Sequence, residues 1–508
     1  MTTLLAKLAR IAADDPARIA VVEGERRASY GELWDQACRF AAVLAARGIG
    51  AGERVAVLLP NSIEAVAACY GAWLARAAIV PLNVQARARD YAVWLDHARP
   101  ALLVHEAGNA ELDAAIASAG LEAMPRIAVG DASDGAPGWR EALDSTTPAA
   151  SLAELDPAAL AQVLYTSGTT GSPKGVMLTQ RNLAANVDAI VAYLGLGAGD
   201  SIVSVLPFYY SYGSSVLHTH LSVGARLCLE PNLVFPHLVV ERLARERATG
   251  FSGVPSTYAL LLDRVDMAPH DLSALRYLTQ AGGAMSPALT ARVRAAFPQA
   301  RLYVMYGQTE ATARLTWLPP ERLEHKTGSV GIPVAGVEVQ VRREDGSAVP
   351  TDESGEVWVR GPNVMQGYWH NPQATAEVLR EGWLKTGDIG RLDGDGFLWL
   401  VGRRSDMIKT GAHRVHPQDI EEAIAELPAV AEVAVVGVED ATLGQVVKAC
   451  IVRAGELTAD QVKAHCRTRL APYKIPKHVE FLAALPKTAS GKVRRVELIE
   501  SKATQGAT

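Results

Sequence analysis

The segment YTSGTTGSPKG, residues Tyr165 to Gly175, decides how the rest of the chain is interpreted. It is rich in hydroxyl side chains and contains three glycines, one proline and one lysine, so it is too polar and too glycine-rich for a helix or a strand. The preceding LAQVLY predicts a short buried strand, and the sequence from Val176 predicts a strand followed by a helix. The segment is therefore predicted to be a loop between two regular elements.

A loop of this composition is suited to binding phosphate. Glycines let backbone N–H groups approach an anion, hydroxyl groups add donors, and a lysine adds a full charge. The spacing differs from the P-loop pattern, in which Gly-Lys-Ser/Thr follows a glycine by four residues, so a P-loop ATPase is disfavoured. A flexible surface loop with a solvated lysine remains the alternative on composition alone.

The bulk properties exclude several classes of protein. The 508 residues are too many for one ordinary core and predict two or more domains. A net charge of -5 gives no basic field for nucleic acid and no polybasic membrane patch. No apolar run reaches the roughly 18 residues that span a bilayer, and the N-terminal segment predicts a surface helix. The five scattered cysteines contain no CxxC, which disfavours zinc and disulfides and fits a cytoplasmic location.

The order of predicted elements indicates an α/β protein. Strand-like and helical segments alternate through the first three quarters, which favours layered parallel sheets. From about Val334, alternating strands with Gly and Asp turns predict a small barrel-like β subdomain. A small α+β unit follows. We expect an N-terminal domain over residues 1–402, with the β-rich subdomain at about 334–402, and a C-terminal domain over 403–508.

Three further segments carry candidate ligand-binding residues. YVMYGQTEAT, residues 303–312, places an aromatic ring, a hydroxyl and a carboxylate at a strand end, a set able to stack a purine, contact phosphate and hold Mg²⁺. Asp388 on a Gly turn is suited to ribose hydroxyls, with Arg403 available for phosphate or ribose. Lys492 lies in a second Gly/Ser loop. Taken singly, each has a plain alternative: a helix cap, a turn residue or a solvated charge.

The order of these motifs resembles the adenylate-forming superfamily, which includes acyl-CoA synthetases, peptide-synthetase adenylation domains and luciferases. The resemblance rests on YTSGTTGSPKG, YGQTE, TGD, the GR that ends at Arg403, and PK followed by SGK, in that order. It runs from Ser29 to about Gly491. It implies ATP-dependent conversion of a carboxylic acid to an acyl-adenylate, with Mg²⁺, followed by transfer to the thiol of CoA or of a carrier-protein phosphopantetheine.

The resemblance also implies roles for individual residues. The β- and γ-phosphates would be held by Thr166, Ser167, Gly168, Thr169, Thr170, Gly171 and Lys174. Thr170 and Glu310 would serve the metal. The adenine and α-phosphate would be met by Gly282, Gly283, Ala284, Tyr306, Gly307, Gln308 and Thr309. Asp388 and Arg403 would hold the ribose, and Lys492 would bridge the substrate carboxylate and the α-phosphate.

In this superfamily the C-terminal domain rotates between the half-reactions, so a second face is expected to replace Lys492. Gly411 and Ala412 would line the thiol tunnel, and Lys409 would act in the second half-reaction. The sequence departs from the family pattern at the hinge, where Ser405 stands in place of the usual acid or lysine and Asp406 lies one position later. A small hydroxyl residue is compatible with a hinge.

The acyl pocket is expected to be lined by Tyr210, Gly213, Ser214, Val254, Ser256, Leu315 and the residues around Gly282 and Tyr306. Many relatives carry a gating histidine where Tyr210 stands, whereas tyrosine stays uncharged at pH 7; simple packing of Tyr209 and Tyr210 is the alternative. Tyrosines and small residues favour a modest or aromatic acid. No aspartate is placed to hold an α-amino group, so an amino-acid substrate is disfavoured.

Three functions remain open at this point. The first is an acyl-CoA synthetase. The second is a free-standing ligase that loads an acyl or aryl group onto a carrier protein, and the third is a catalytically inactive nucleotide-binding protein. A luciferase-like oxygenation is a smaller possibility. The sequence leaves monomer and homodimer equally open.

Overall fold

A computed structural model describes residues 2–130, 136–148, 155–166, 174–230, 233–410, 413–415, 417–440, 443–488 and 492–500. The described residues form two compact units. The first takes in those of 1–325, 333–338 and 359–384, and the second those of 326–332, 339–358 and 385–508. The division predicted at residue 402 stays a prediction.

The helices, in chain order, are α1 (Leu4–Asp14), α2 (Tyr30–Ala46), α3 (Ile63–Leu74), α4 (Ala88–Ala98), α5 (Ala110–Ala119), α6 (Trp139–Asp144), α7 (Gln180–Leu194), α8 (Ser211–Leu221), α9 (Pro236–Arg245), α10 (Pro255–Arg264), α11 (Pro287–Ala296), α12 (Pro372–Val378), α13 (Pro417–Ala425), α14 (Ala459–Arg469) and α15 (Arg495–Glu500). In the described part of the chain, no helix is long and apolar enough to cross a membrane.

The strands of the first 325 residues are β1 (Ile19–Glu23), β2 (Arg26–Ser29), β3 (Arg54–Leu58), β4 (Ala78–Pro81), β5 (Leu102–Glu106), β6 (Arg126–Val129), β7 (Leu160–Thr166), β8 (Lys174–Thr179), β9 (Ser201–Ser204), β10 (Arg226–Leu229), β11 (Gly250–Gly253), β12 (Tyr277–Gln280), β13 (Arg301–Tyr306) and β14 (Thr316–Leu318). The later strands are β15 (Ile332–Pro333), β16 (Glu338–Arg342), β17 (Gly355–Arg360), β18 (Gly367–Tyr368), β19 (Leu379–Arg380), β20 (Trp383–Leu392), β21 (Leu398–Arg403), β22 (Ile408–Thr410), β23 (His413–Val415), β24 (Val430–Asp440), β25 (Gly444–Arg453) and β26 (His478–Leu482).

Two mixed sheets form the frame of the first unit. Sheet A runs in the order β14-β13-β12-β11-β9-β10-β1-β2, and sheet B in the order β18-β8-β7-β4-β3-β5-β6. The inner pairs are parallel, as the strand–helix alternation predicted. The pairs β1–β2, β13–β14, β7–β8 and β8–β18 are antiparallel. These antiparallel strands lie toward the sheet ends. Short connections permit hairpins at β1–β2 and β7–β8, whereas β8 and β18 are far apart in the chain.

Helices α3 and α8 form the centre of the first unit. Every residue of α3 is buried, and so is every residue of α8 from Tyr212 to Leu221. A helix that is buried on all sides must pack against other elements all round. Trp73 of α3 donates its indole N–H to the carbonyl of Ala161 in β7 at 2.8 Å, and Tyr70 of α3 lies 3.0 Å from Nδ1 of His218 in α8.

Helix boundaries follow local capping chemistry. Ser29 accepts from the backbone N–H of Glu32, whose carboxylate accepts from the Ser29 N–H, and this pair starts α2. Thr179 and Asn182 exchange the same two bonds and start α7 directly after β8. The predicted N-terminal helix is confirmed as α1, with Leu4, Leu5 and Leu8 buried.

The second unit contains two smaller sheets. One runs in the order β16-β17-β20, with β21 paired antiparallel to β20. The other runs in the order β23-β22-β25-β24, with β26 parallel to β25. Ile420 and Ile424 of α13 and Val462 of α14 pack with Val447 and Ile451 of β25 in one core cluster. The prediction of an α/β chain with a large N-terminal part and a small α+β C-terminal part is confirmed, whereas mobility of the C-terminal part stays a prediction.

Candidate active site

Four neighbouring strands of sheet A end at one edge. β9 ends at Ser204, β11 at Gly253, β12 at Gln280 and β13 at Tyr306, and the parallel register sets Gly253 opposite Gln280. In open α/β sheets, ligands bind in the crevice outside the carboxyl ends of the strands. The loops that follow these four strands are therefore the candidate site.

These four loops carry most of the residues predicted for adenine, α-phosphate and acid. A Cβ at Gly282, whose φ is +84°, would lie 3.1 Å from Cγ1 of Val254. Thr309 donates its hydroxyl to Ser211 Oγ at 3.3 Å. The loop after β12 thus touches the loop after β11, and the loop after β13 touches the start of α8. The structure brings together Tyr210, Gly213, Ser214, Val254, Ser256, Gly282, Gly283, Ala284, Tyr306, Gly307, Gln308, Thr309 and Glu310 at this edge.

The YGQTE segment is a tight turn that fixes Thr309 and Glu310. A Cβ at Gly307 would lie 1.8 Å from the carbonyl oxygen of Ala313, so only glycine fits. Thr309–Ala311 form one 3-10 turn, and Thr312 follows with a φ of +67°. The Thr312 hydroxyl donates to the carbonyl of Asn363 at 2.7 Å. This bond holds the strained backbone in place beside the carboxylate of Glu310.

Tyr368 connects the carboxylate of Glu310 to the base of the glycine-hydroxyl loop, which is the segment YTSGTTGSPKG from Tyr165 to Gly175. Its hydroxyl donates a hydrogen bond of 2.8 Å to Oε1 of Glu310. The ammonium of Lys174 lies 5.1 Å from the centroid of the same ring, which is cation–π distance. Burial raises the pKa of the Tyr368 phenol, and the neighbouring Glu310 carboxylate raises it further, so the phenol stays a donor at neutral pH. The Tyr368 side chain therefore contacts a cation through its ring and a carboxylate through its hydroxyl.

Strand pairing is what brings Tyr368 to this position. Tyr368 in the two-residue strand β18 lies opposite Val176 of β8, and the N–H of Trp369 donates to the carbonyl of Gly175 at 2.7 Å. The N–H of Met365 donates to the carbonyl of Glu310 at 2.9 Å. Backbone hydrogen bonds thus link the YGQTE turn to the strand that follows the glycine-hydroxyl loop.

The loop itself is closed by the β7–β8 hairpin. Thr166 lies opposite Lys174 in the antiparallel register, which places the two ends of the loop side by side. The predicted phosphate contacts Ser167, Gly168, Thr169, Thr170 and Gly171 lie outside the described residues. Thr166 and Lys174 are positioned at the base of the loop, in agreement with the predicted strands on either side.

The start of α8 forms an aromatic corner. The rings of Tyr209 and Tyr210 meet edge to face, with centroids 4.7 Å apart. A Cβ at Gly213 would lie 2.0 Å from the carbonyl oxygen of Pro207, so the glycine lets α8 approach the preceding loop. Burial raises the pKa of the Tyr209 phenol, which stays neutral. Leu315, also predicted for the pocket, is fully buried, and its N–H donates to the carbonyl of Tyr306 at 2.8 Å.

In the second unit, Asp388 and Arg403 are partners. They lie opposite each other on β20 and β21, and Arg403 Nε is 3.1 Å from Asp388 Oδ1. Asp388 is buried, whereas the Arg403 side chain is 52% exposed. The Asp388 N–H donates to the Thr386 hydroxyl at 3.1 Å. The pair therefore presents a fixed carboxylate next to a guanidinium that faces solvent.

The remaining predicted residues of this unit lie on turns and short strands. Lys492 is exposed, and its backbone exchanges two hydrogen bonds with Thr488, at 3.1 Å through the threonine hydroxyl and 2.7 Å through the threonine N–H. Ser405 lies in a 3-10 turn, and Lys409 lies in β22. Gly411 and Ala412 lie outside the described residues. The roles of all five residues stay predictions.

The donor set at Glu310 fits magnesium. Over the described residues, no three His, Cys, Asp or Glu side chains come together as a complete ligand set for a metal. Magnesium is usually held by one or two carboxylates together with water and substrate phosphates. A single oriented carboxylate near a loop that is predicted to bind phosphate is the arrangement that such a site needs.

Sequence reasoning missed three residues that build this site: Ser211, Asn363 and Tyr368. Each acts through a contact that is distant along the chain; the Tyr368–Glu310 bond, for example, joins residues 58 positions apart. None belongs to a recognisable local motif. The only signal for Tyr368 was an aromatic pair after a glycine, which equally predicts ordinary packing.

Comparison with known proteins agrees with this geometry. The family model for AMP-binding enzymes matches residues 8–369, and the model for the AMP-binding enzyme C-terminal domain matches residues 419–492. A feruloyl-CoA synthase from Amycolatopsis sp is 35% identical over 491 residues, covering 95% of this chain and 96% of that protein.

Solved structures of CoA ligases also match this chain over nearly its whole length. The anthranilate CoA ligase AuaEII in complex with anthranoyl-AMP has a TM-score of 0.90 at 27% identity and covers 98% of this chain and 96% of its own. The o-succinylbenzoate coenzyme A synthetase MenE from Bacillus subtilis, in complex with ATP and a magnesium ion, has a TM-score of 0.84 at 30% identity and covers 97% and 98%.

Proposed function

The chain belongs to the AMP-binding enzyme family and is an AMP-forming acid–thiol ligase, and on this premise we propose that it joins a small aromatic carboxylic acid to coenzyme A. ATP, Mg²⁺ and CoA are its co-substrates and cofactor. The identity of the acid goes beyond family membership, and its support lies in the residues at the start of α8.

The reaction has two steps. A carboxylate oxygen of the acid attacks the α-phosphorus of ATP, and the bond to pyrophosphate breaks to give an acyl-adenylate. The thiol sulfur of CoA then attacks the acyl carbon, the thiol proton is lost, and the bond to AMP breaks. The first step brings two anions together, so cations and hydrogen-bond donors must offset the charge that develops in the transition state.

In the first unit, the loop closed by Thr166 and Lys174 is proposed to hold the β- and γ-phosphates, with Lys174 supplying charge. Thr309 is proposed to donate to the α-phosphate. Glu310 would hold magnesium, which neutralises phosphate charge when bound. The support for Glu310 is its fixed geometry: Tyr368 donates to one carboxylate oxygen and leaves the other available. Tyr306, at the end of β13, is proposed to stack on adenine.

In the second unit, the buried Asp388 is proposed to accept from the ribose hydroxyls, with the guanidinium of Arg403 beside it at 3.1 Å. Lys492 is proposed to contact the acid carboxylate and the α-phosphate during the first step, and Lys409 with Gly411 and Ala412 to serve the second. The exposed position of Lys492 is compatible with a residue that acts in only one of the two steps.

The observation that carries the aromatic substrate is the corner at the start of α8. Tyr209 and Tyr210 meet edge to face there, and Phe208 with Tyr209 lines an interior cavity of about 30 Å³. Aromatic rings pair favourably with other rings in edge-to-face or offset geometry. The feruloyl-CoA and anthranilate-CoA relatives act on aromatic acids, as their names state, which agrees with this assignment.

A substrate panel tests the proposal. Pyrophosphate release is measured with benzoic and phenylpropenoic acids against octanoic and hexadecanoic acids, and AMP release is then measured with CoA against a phosphopantetheinylated carrier protein. We expect kcat/KM to be at least tenfold higher for an aromatic acid and AMP release to require CoA. A preference for hexadecanoic acid would overturn the aromatic substrate, and dependence on the carrier protein would replace CoA as the acceptor.

A further inference from the structure

An interior cavity lies next to the aromatic corner, between α3, α8 and sheet B. Its walls are mainly aliphatic side chains from β3, β4 and α3. Besides the phenol of Tyr209, three polar residues interrupt that lining: Gln162 from β7 and Ser214 and His218 from α8. Of these, only Ser214 belongs to the acyl pocket expected from the sequence, so the cavity extends beyond that pocket.

Gln162 is the unusual member of this lining. It lies in the interior of β7 opposite Ile79, and its side chain is fully buried. Neither its amide oxygen nor its amide nitrogen has a hydrogen-bond partner among the described residues. A buried polar group without a partner costs about 1–3 kcal/mol, so a purely structural position would be better filled by leucine. The amide is suited to receive a ligand group that both donates and accepts.

His218 gives the cavity a second neutral hydrogen-bonding group. It is 1% exposed, and its Nδ1 lies 3.0 Å from the hydroxyl of Tyr70. Burial lowers the pKa of His218 to about 3, so the ring is neutral at pH 7. None of the residues that line the cavity is an Asp, Glu, Lys or Arg. Since an unpaired charge is costly in such a place, the cavity accepts neutral polar groups and rejects ionised ones.

Helix α8 links this cavity to the reacting end of the site. Ser211, its first residue, contacts Thr309 beside Glu310. Ser214 and His218 follow three and seven residues later on the same helix face. Seven residues of α-helix span about 10 Å, which is the length of an aromatic ring carried on a short carbon chain.

We propose that this cavity receives the end of the acid remote from the carboxylate, and that Gln162 and His218 select acids carrying a neutral hydroxyl or amine there. The inference rests on the proposed aromatic substrate and deepens it. Gln162 accepts from the substituent's O–H or N–H and donates to its lone pair. An acid without the substituent leaves the amide of Gln162 without a hydrogen-bond partner. A site that forms hydrogen bonds to a substrate hydroxyl discriminates strongly against the analogue that lacks this hydroxyl. An apolar pocket discriminates much less against an analogue that lacks one methylene.

The test compares 3-(4-hydroxyphenyl)propenoic acid with 3-phenylpropenoic acid. Pyrophosphate release gives kcat/KM for each acid in the wild type and in Gln162→Leu. We expect a wild-type preference for the hydroxylated acid of at least tenfold, and a ratio near one in the variant. Because leucine removes two unpaired polar atoms from the core, Gln162→Leu should also fold with an unchanged or higher melting temperature.

Gln180→Leu is the matched control. Gln180 is 2% exposed and also carries an amide oxygen without a partner among the described residues, but it does not line the cavity. In Gln180→Leu, the ratio of kcat/KM between the two acids should stay within about twofold of the wild-type ratio, since distant sites act independently.

Several results would overturn the inference. One is a wild-type kcat/KM ratio near one between the two acids. Another is a preference for the hydroxylated acid that stays the same in Gln162→Leu. A lowered melting temperature with an unchanged ratio would make Gln162 a structural residue bonded to buried water only. If both acids fail while other aromatic acids release pyrophosphate, the inference falls and the proposed function stands; if all aromatic acids fail, both fall.

Discussion

The hydroxyl of Tyr368 donates a 2.8 Å hydrogen bond to Oε1 of Glu310, and this bond orients the carboxylate proposed to hold magnesium. The same ring lies 5.1 Å from the ammonium of Lys174. One tyrosine therefore couples the residue at the base of the glycine-hydroxyl loop to the acid of the YGQTE turn. Two segments that are remote in sequence are thereby brought together at the place where we propose that phosphate and metal bind.

Tyr368→Phe should weaken magnesium use. A hydrogen bond to a charged group contributes about 1.5–3 kcal/mol, so we expect at least a tenfold rise in the Mg²⁺ concentration that gives half-maximal pyrophosphate release. Tyr193→Phe is the control, because the Tyr193 hydroxyl donates to Met305 Sδ at 2.9 Å, away from Glu310. An equal response of the two variants would contradict a specific role for Tyr368.

Lys492→Ala should separate the two half-reactions. We expect adenylation to fall by about 10²-fold or more, roughly 3 kcal/mol of transition-state stabilisation, while thiol transfer from a preformed acyl-adenylate stays largely intact. Single-turnover measurements of each step provide the readout. Lys477→Ala is the control, since Lys477 pairs with Asp440 on the surface. Equal loss in both half-reactions would remove Lys492 from the proposed role.

Asp388→Asn should raise the KM for ATP. The variant keeps the shape of the side chain but loses the carboxylate that faces Arg403 and that we propose to bind the ribose. Charge-assisted bonds are about twice as strong as neutral ones, so we expect the KM for ATP to rise at least tenfold. Asp395→Asn, at an exposed partner of Lys326, serves as control. An unchanged KM for ATP in Asp388→Asn would show that the Asp388–Arg403 pair is structural only.

Stability should fall on mild acidification because of buried neutral histidine. Burial lowers the pKa of His220 to about 4, and its Nε2 lies 2.6 Å from the Tyr277 hydroxyl. In the unfolded chain His220 binds a proton near pH 6.5, whereas in the folded chain it stays neutral down to about pH 4. The free energy of unfolding therefore decreases as the pH falls from about 6.5 to about 4. At pH 5 the resulting loss in the free energy of unfolding is about 2 kcal/mol.

Urea unfolding at pH 7 and pH 5 checks this prediction. His220→Gln should show a smaller difference between the two pH values than the wild type, whatever its stability at pH 7. His478→Gln, at an exposed histidine, should show the wild-type difference. A difference that is unchanged in His220→Gln would assign the acid sensitivity to other groups.

Gly213→Ala should disrupt the aromatic corner. The new Cβ would meet the Pro207 carbonyl at 2.0 Å, so α8 must shift, and overpacking of this kind costs about 1–3 kcal/mol. Thermal unfolding should show a clear decrease and aromatic-acid turnover a loss. Gly197→Ala, where the space is open, should do neither. A stable and fully active Gly213→Ala would mean that α8 can move without consequence for the site.

The local elements of this protein follow from its sequence, and the long-range contacts do not. The strand before Thr166 and the strand from Val176 were predicted from apolar runs and are confirmed as parts of β7 and β8. Their antiparallel pairing was not predicted, because periodicity specifies an element but not its neighbour. The same limit concealed β18, whose two residues carry no periodic signal and depend on pairing with β8.

Site residues show the same division. Asp388 and Arg403 were predicted to lie near each other, and the register of β20 and β21 pairs them. Gln162 belongs to the predicted buried strand LAQVLY, and the sequence gives no sign of a special role because one polar residue does not alter an apolar pattern. Only the packing of α3 and α8 against β7 reveals that its amide lies in a cavity, where neither polar atom has a partner among the described residues.

Exchange of labelled pyrophosphate into ATP tests the central claim most directly. The purified protein is incubated with Mg²⁺, ATP and single aromatic acids, without CoA. Reversible attack of the carboxylate on the α-phosphorus predicts exchange that requires both the acid and Mg²⁺ and that is lost in Lys492→Ala. Absence of exchange with every organic acid, or exchange that proceeds without any acid, would contradict the account.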